Sequence, residues 1–179
     1  MQVDKKYTTT SFKQTQKLGK DFALQLHSGQ AKKIPQKTAT VLTLHGDLGA
    51  GKTTFLQGFA KGLGVKEKIL SPTYVILKHY KITEYGIKYL EARINSKFKI
   101  QDTRFTELYH FDCYRLKNEK DVLELGFKEI ISNPKNIVAI EWPERIKKVL
   151  PKNIIRINFK MVGENKREIT IKTNLKISG

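Results

Sequence analysis

Leu44-His45-Gly46-Asp47-Leu48-Gly49-Ala50-Gly51-Lys52-Thr53-Thr54 is a glycine-rich stretch set between two very different neighbours. Before it runs Thr38-Ala39-Thr40-Val41-Leu42-Thr43, a β-branched segment with the character of a strand. After it, Phe55, Leu56, Phe59 and Leu63 recur at helical spacing. The stretch fits G-x-x-x-x-G-K-[ST], with Gly46, Gly51, Lys52 and Thr53 at the fixed positions. Strand, loop and helix in that order make an anion site. Glycines let the backbone turn tightly, so that successive N–H groups line a concave nest at the positive end of the following helix. Lys52 then reaches the β- and γ-phosphates of a nucleotide, and the Thr53 hydroxyl holds a magnesium ion that bridges them.

The rest of the chain bounds this reading. Its 179 residues suffice for one sizeable core, and we expect a single domain over 1–179. No apolar run approaches membrane-spanning length, and the opening MQVDKKYTTTSFKQ lacks the apolar centre of a secretory signal, so the expected location is cytoplasmic. Cys113 is the only cysteine, which rules out an internal disulfide and suggests a reduced, packed thiol. The histidines at 27, 45, 79 and 110 show no ligand spacing and read as ordinary. A net charge of +17, carried mostly by lysine, would attract RNA in a salt-dependent way. Lysine is, however, the poorer residue for fixed bidentate phosphate contacts, so direct nucleic-acid contact stays open.

Along the chain, Ser11-Phe12-Lys13-Gln14 has a capping-box pattern, and Phe12, Thr15, Leu18, Phe22 and Leu26 follow as one helical row up to His27-Ser28-Gly29. Leu70 to Leu77 reads as a loop entering a strand, since Pro72 forbids helix at its start. Residues 81–107 form either an extended hairpin around Asn95-Ser96-Lys97 or a lid. Leu108 to Asp112 and Ile137 to Glu141 are both apolar strands that end in an acid. Between them, Asp121 to Ser132 suggests one or two short helices broken near Gly126. Pro143 can start a short helix over 144–149, and the alternating segments 153–160 and 166–173 predict an antiparallel pair. This alternation predicts an α/β fold whose sheet is parallel in its core, with antiparallel strands at the edge and ligands at the carboxyl ends of the strands. Both terminal acids, Asp112 and Glu141, would be delivered to that edge, where nucleotide hydrolysis needs carboxylates beside a metal.

Four ordered motifs together carry a resemblance. Gly46-Asp47-Leu48-Gly49-Ala50-Gly51-Lys52-Thr53-Thr54, Ser71-Pro72-Thr73-Tyr74, His110-Phe111-Asp112-Cys113-Tyr114-Arg115 and Ile140-Glu141-Trp142-Pro143 resemble the TsaE family, the ATPase component of bacterial tRNA threonylcarbamoyladenosine (t6A) synthesis. The stretch Thr15-x-x-Leu18-Gly19 is similar to that family's opening, and the resemblance runs from about residue 10 to about residue 150. It implies a P-loop NTPase-like three-layer sandwich, with ATP and Mg2+ as cofactors. Gly49, Ala50, Gly51, Lys52, Thr53 and Thr54 would hold the phosphates. Thr53 and Glu141 would lie at the metal, and Asp112 would be a further metal-side or water-positioning acid, so that Lys52, Asp112 and Glu141 form the catalytic set. Ser71 and Thr73 would belong to a loop sensing the γ-phosphate, and Trp142 would stand near the nucleotide or else serve as a core aromatic. Arg115 would either stabilise developing negative charge or pair with a neighbouring acid. The implied partners are TsaB-like and TsaD-like proteins of a transferase complex, and through them tRNA. Two departures stand out: the connection before His110-Phe111-Asp112 is about twenty residues longer than usual, and Cys113 replaces an aliphatic residue.

Other readings remain. A small-molecule kinase on the same scaffold would close an arginine-bearing lid, for which Arg93 and Arg104 are available in the long insertion. A basic nucleic-acid-binding module without catalysis would explain the charge but not the loop. A GTPase would use Asn165-Lys166-Arg167-Glu168 to read guanine, yet that tetrad ends in Glu and falls in an expected hairpin turn.

Overall fold

The computed structural model describes residues 3–27, 37–70, 75–83 and 105–173. Ser71, Thr73, Arg93, Arg104 and most of the 81–107 insertion lie outside them.

The strand predicted ahead of the glycine-rich loop is β2 (Thr40–His45), and the helix after it is α2 (Lys52–Gly62). β2 is the centre of a seven-stranded sheet. On one side it pairs in parallel with β5 (Asn136–Glu141), which pairs in parallel with β4 (Glu107–Asp112), and β3 (Leu77–Lys81) closes that edge antiparallel to β4. On the other side β6 (Ile155–Met161) is parallel to β2, and β7 (Arg167–Thr173) and β1 (Val3–Thr9) follow antiparallel. The sheet is therefore parallel in its core and antiparallel at both edges.

Side-chain alternation sorts the core into two layers. Leu42, Leu44, Ile137, Ala139 and Leu108 face α1 (Phe12–His27) and α2, meeting Phe22, Phe55, Leu56 and Phe59. Val41, Val138, Ile140 and Phe111 face the opposite layer, where Val122 of α3 (Glu119–Leu123), Phe127 of α4 (Phe127–Ser132) and Ile146 of a 3-10 segment (Pro143–Val149) cover them. The break between α3 and α4 falls at Gly126, as its position in the sequence suggests.

α1 and α2 approach unusually closely. A Cβ on Gly58 would lie 1.8 Å from the Gln16 carbonyl oxygen, and one on Gly19 would lie 2.2 Å from that of Phe55. These glycines let two backbones touch, a packing that a helix with side chains at those positions could not reach.

Three elements differ from the sequence reading. β1 has no counterpart there, because Val3-Asp4-Lys5-Lys6-Tyr7 is an edge strand with little apolar alternation. The strand expected within Leu70 to Leu77 begins only at Leu77 and runs on through Lys78-His79-Tyr80-Lys81, again a polar edge. Phe12, placed in the buried row of α1, is the first residue of the helix and is 62% exposed. The capping box there is also shifted by one residue: the Gln14 N–H donates to Ser11 Oγ at 3.2 Å, but Gln14 Oε1 accepts from the Thr10 N–H at 2.7 Å.

Candidate active site

The loop between β2 and α2 owes its shape to backbone torsions that side chains resist. Gly46 sits at φ 136°, with the Phe159 carbonyl oxygen 2.4 Å from where a Cβ would stand, and Gly51 sits at φ 100° directly before α2. The loop thus starts pressed against β6 at Gly46 and turns into α2 at Gly51. Thr15 supports it from below: its hydroxyl bonds that of Thr9 at 2.8 Å, and its methyl lies near Gly51.

Lys52 reaches back over this loop. Its ammonium donates to the carbonyls of Gly46 at 2.7 Å and Asp47 at 2.8 Å, and it lies 4.2 Å from the centre of the Trp142 ring. Burial pulls its pKa below the ordinary lysine value, against the opposing pull of Glu141 and Asp112.

Strand register decides the other half of the site. Leu44 and Asp112 both stand beside Glu141 in the parallel ladders, so β2, β4 and β5 end at one edge. Even positions of β4 and odd positions of β5 share the α2 side, which brings His110, Asp112 and Glu141 together. The Thr53 hydroxyl donates to Glu141 at 3.0 Å to one carboxylate oxygen and 3.3 Å to the other. Asp112 accepts from the Tyr114 N–H at 3.0 Å, and burial raises its carboxyl above the usual range. A cavity of about 490 Å3 is bordered by Gly49, Lys52, Thr53, Asp112, Glu141 and Trp142, and Gly51, Thr54 and Arg115 also reach it. Ala50 is buried behind the loop, so it can offer only backbone to a ligand.

Trp142 is the one non-glycine residue at positive φ among those described, with φ 58° and ψ 49°. A bulky residue in the left-handed region, and one preceding a proline, is strained. Packing on Tyr114, with ring centres 5.0 Å apart, and on Lys52 holds it there. The ring is partly buried against the core and also borders the cavity.

Two residues of the site escaped the sequence reading. His110, taken as ordinary, is wholly buried with Nε2 3.1 Å from Glu141. With the carboxylate ionised, the ring's Nε2–H donates to it and Nδ1 is left without a partner. Its position two residues before Asp112 was the available signal, since strand alternation puts both on one face. Arg167 is the other: its guanidinium donates to the carbonyls of Gly49 at 3.4 Å and Glu164 at 3.0 Å. Asn165 to Arg167 thus belong to the β6–β7 turn and its exit, closed by the Val162 N–H to the Lys166 carbonyl at 3.0 Å. No local pattern marks a turn residue that meets a loop so distant in sequence.

The loop, the two acids and the Thr53 hydroxyl thus border one cavity. Among the described residues no group of three His, Cys, Asp or Glu forms a self-sufficient metal cage. No described helix is long and apolar enough to cross a membrane.

Comparison with known proteins places this architecture. The family model for the threonylcarbamoyl adenosine biosynthesis protein TsaE matches residues 9–169. The tRNA threonylcarbamoyladenosine biosynthesis protein TsaE of Rickettsia typhi is 34% identical over 167 residues, covering 93% of each chain. Its namesake in Bacillus subtilis is 37% identical over 134 residues, covering 75% of this chain and 70% of the relative. The crystal structure of Bacillus subtilis YdiB superposes with a TM-score of 0.63 at 30% identity, covering 97% of this chain and 87% of that one. The chain belongs to the TsaE family of threonylcarbamoyl adenosine biosynthesis proteins.

Proposed function

We propose that the chain is a Mg-dependent ATPase required for t6A modification of tRNA, which hydrolyses ATP to support a threonylcarbamoyl transferase complex of TsaB-like and TsaD-like partners. One observation carries the chemistry: Thr53, at the head of α2, is hydrogen-bonded to Glu141, which lies in register beside Asp112.

The donor set fits the groups it would hold. Thr53 and Glu141 offer hard oxygens for magnesium, Asp112 stands beside them, and the Gly49 to Thr54 backbone opens toward an anion. When bound, the ion neutralises charge on the β- and γ-phosphate oxygens. Lys52 exchanges its Gly46 and Asp47 carbonyls for phosphate oxygens, and its partly desolvated ammonium is the stronger for that burial. His110 orients the Glu141 carboxylate through its Nε2–H. Asp112 would accept a hydrogen bond from the attacking water, whose oxygen would bond to the γ-phosphorus as the bond to the ADP oxygen breaks, its proton passing to the released phosphate or to solvent.

Hydrolysis by the chain alone is expected to be weak and to rise with its partners, because transition-state charge on phosphate is often met by an arginine supplied in trans. Lys52→Ala should lower ATP turnover by at least about a hundredfold; an unchanged rate would refute the role. Reconstitution tests the whole reading: modified tRNA should accumulate over several turnovers only when this chain and ATP are added to the transferase.

The kinase alternative gains nothing from the fold. The described ends of the insertion, Thr83 and Phe105, flank the Ile82–Thr106 hydrogen bond where β4 begins, at the edge of the sheet opposite Asp112.

A further inference from the structure

The phosphate site uses one end of α2, and the other end borders a second concavity. A groove of about 520 Å3 runs between α1 and α2 on their outer side, and six of the residues that line it are lysines: Lys13, Lys17, Lys20, Lys61, Lys66 and Lys68. Lys13, Lys17 and Lys20 recur at i, i+4 and i+7, so they form one stripe about 10 Å long on α1. Lys61 closes α2 on the facing side. Among the described residues that line it Glu67 is the one carboxylate, and Asp21 is bonded to Lys17 at 2.6 Å in an exposed pair.

The helix packing makes this crowding unavoidable. Because Gly58 and Gly62 bring α2 against the Gln16 and Lys20 backbone, the lysines of both helices are held around one narrow floor. Gln16 and Gln57 form that floor through a 2.9 Å hydrogen bond, and Gln57 is fixed in turn to the Ile69 carbonyl at 3.0 Å. Like charges gathered this way repel one another until an anion lies between them.

We propose that the α1–α2 groove is a docking surface for the phosphate backbone of structured RNA. Lysine ammoniums on flexible stems are point charges that position phosphates without reading sequence. Among the described residues the lining contains no aromatic side chain on which unpaired bases would stack, which favours a backbone over a single strand. Its apolar members among the described residues, Val65 and Ile69, are buried, so the lining presents charge and amide groups and little apolar surface. The choice of RNA as the polyanion rests on the proposed role in tRNA modification; the groove itself does not.

Filter binding of unmodified tRNA over a salt series tests the proposal. The triple variant Lys13→Gln, Lys17→Gln, Lys20→Gln should bind at least about tenfold more weakly near 0.1 M salt, with a log–log salt slope shallower by about 2 to 3. Its ATP hydrolysis should be unchanged, which also shows that it is folded. A control variant, Lys147→Gln with Lys148→Gln on the 3-10 segment, should bind as the parent does. Equal weakening of both variants would overturn the proposal, because net charge alone would then explain binding. So would unaltered binding by the triple variant, or parent binding no tighter to tRNA than to polyglutamate or phosphatidylglycerol vesicles. A parent chain that hydrolyses no ATP but loses tRNA selectively in the triple variant would sink the ATPase reading and uphold the groove.

Discussion

Cys113 directly follows Asp112, yet alternation turns it to the other face of the sheet, where it is fully buried. Burial first, then the charges of Asp112 and Glu144, pushes its thiol up to about 12 from an ordinary 9.0. The folded chain therefore keeps a proton that the unfolded chain loses, so this residue leaves stability unchanged below about pH 9 and lowers it as pH climbs toward 12. Being the only cysteine, it gives a clean readout. Iodoacetamide at about pH 8 should label the native protein far more slowly than the denatured one, and rapid native labelling would contradict the packing. Trp142 offers a second probe, since it is the only tryptophan and lies 4.2 Å from the Lys52 ammonium. Adding ATP with magnesium should change its fluorescence saturably, as Lys52 shifts toward phosphate; a flat titration would mean that the nucleotide binds elsewhere or not at all. At this scale Lys52, Thr53, Asp112 and Glu141 were legible because motif spacing and strand ends fix them locally. His110 and Arg167 were not: one needs a parallel ladder to acquire its partner, the other a hairpin that returns across the sheet.

The contact between α1 and α2 is an element-scale feature with an element-scale test. Replacing a helical glycine by alanine ordinarily gains roughly 0.5 to 1 kcal/mol, because the unfolded chain loses freedom. At Gly58 the new Cβ would lie 1.8 Å from a backbone oxygen, so the helices must part. Gly58→Ala should therefore destabilise by roughly 1 to 3 kcal/mol in urea unfolding, and a gain in stability would show that the approach is looser than described. Elements with both faces covered were readable from sequence: β2 and β5 are continuous apolar runs, and Pro143 marks the 3-10 segment. β1 and β3 were not, since each needs apolar side chains on one face only and carries lysines elsewhere. Gly19 and Gly58 give no local sign of their function either, because a glycine inside a helix reads as a weakness until its neighbour is known.

Across the whole molecule, the described ends of the long connection and the glycine-rich loop belong to opposite ends of the parallel strands. Replacing residues 84–104 by a short Asn-Gly turn between Thr83 and Phe105 should leave nucleotide affinity within about threefold, since β3 and β4 already pair as a hairpin there. A tenfold loss in the Trp142 titration would mean that the insertion reaches the nucleotide. Parallel core, antiparallel edges and the convergence of two acids were foreseeable from the alternation of elements, whereas strand order was not, because it depends on which edges remain open once the centre is built. That order also sets a timetable. β1 is made before its neighbour among the described strands, β7, with every other described strand between them in the chain. Until β7 follows, Val3-Asp4-Lys5-Lys6-Tyr7 has no partner among the described strands, and its charges, so unhelpful for recognising a strand, discourage other nascent chains from annealing to it in the meantime.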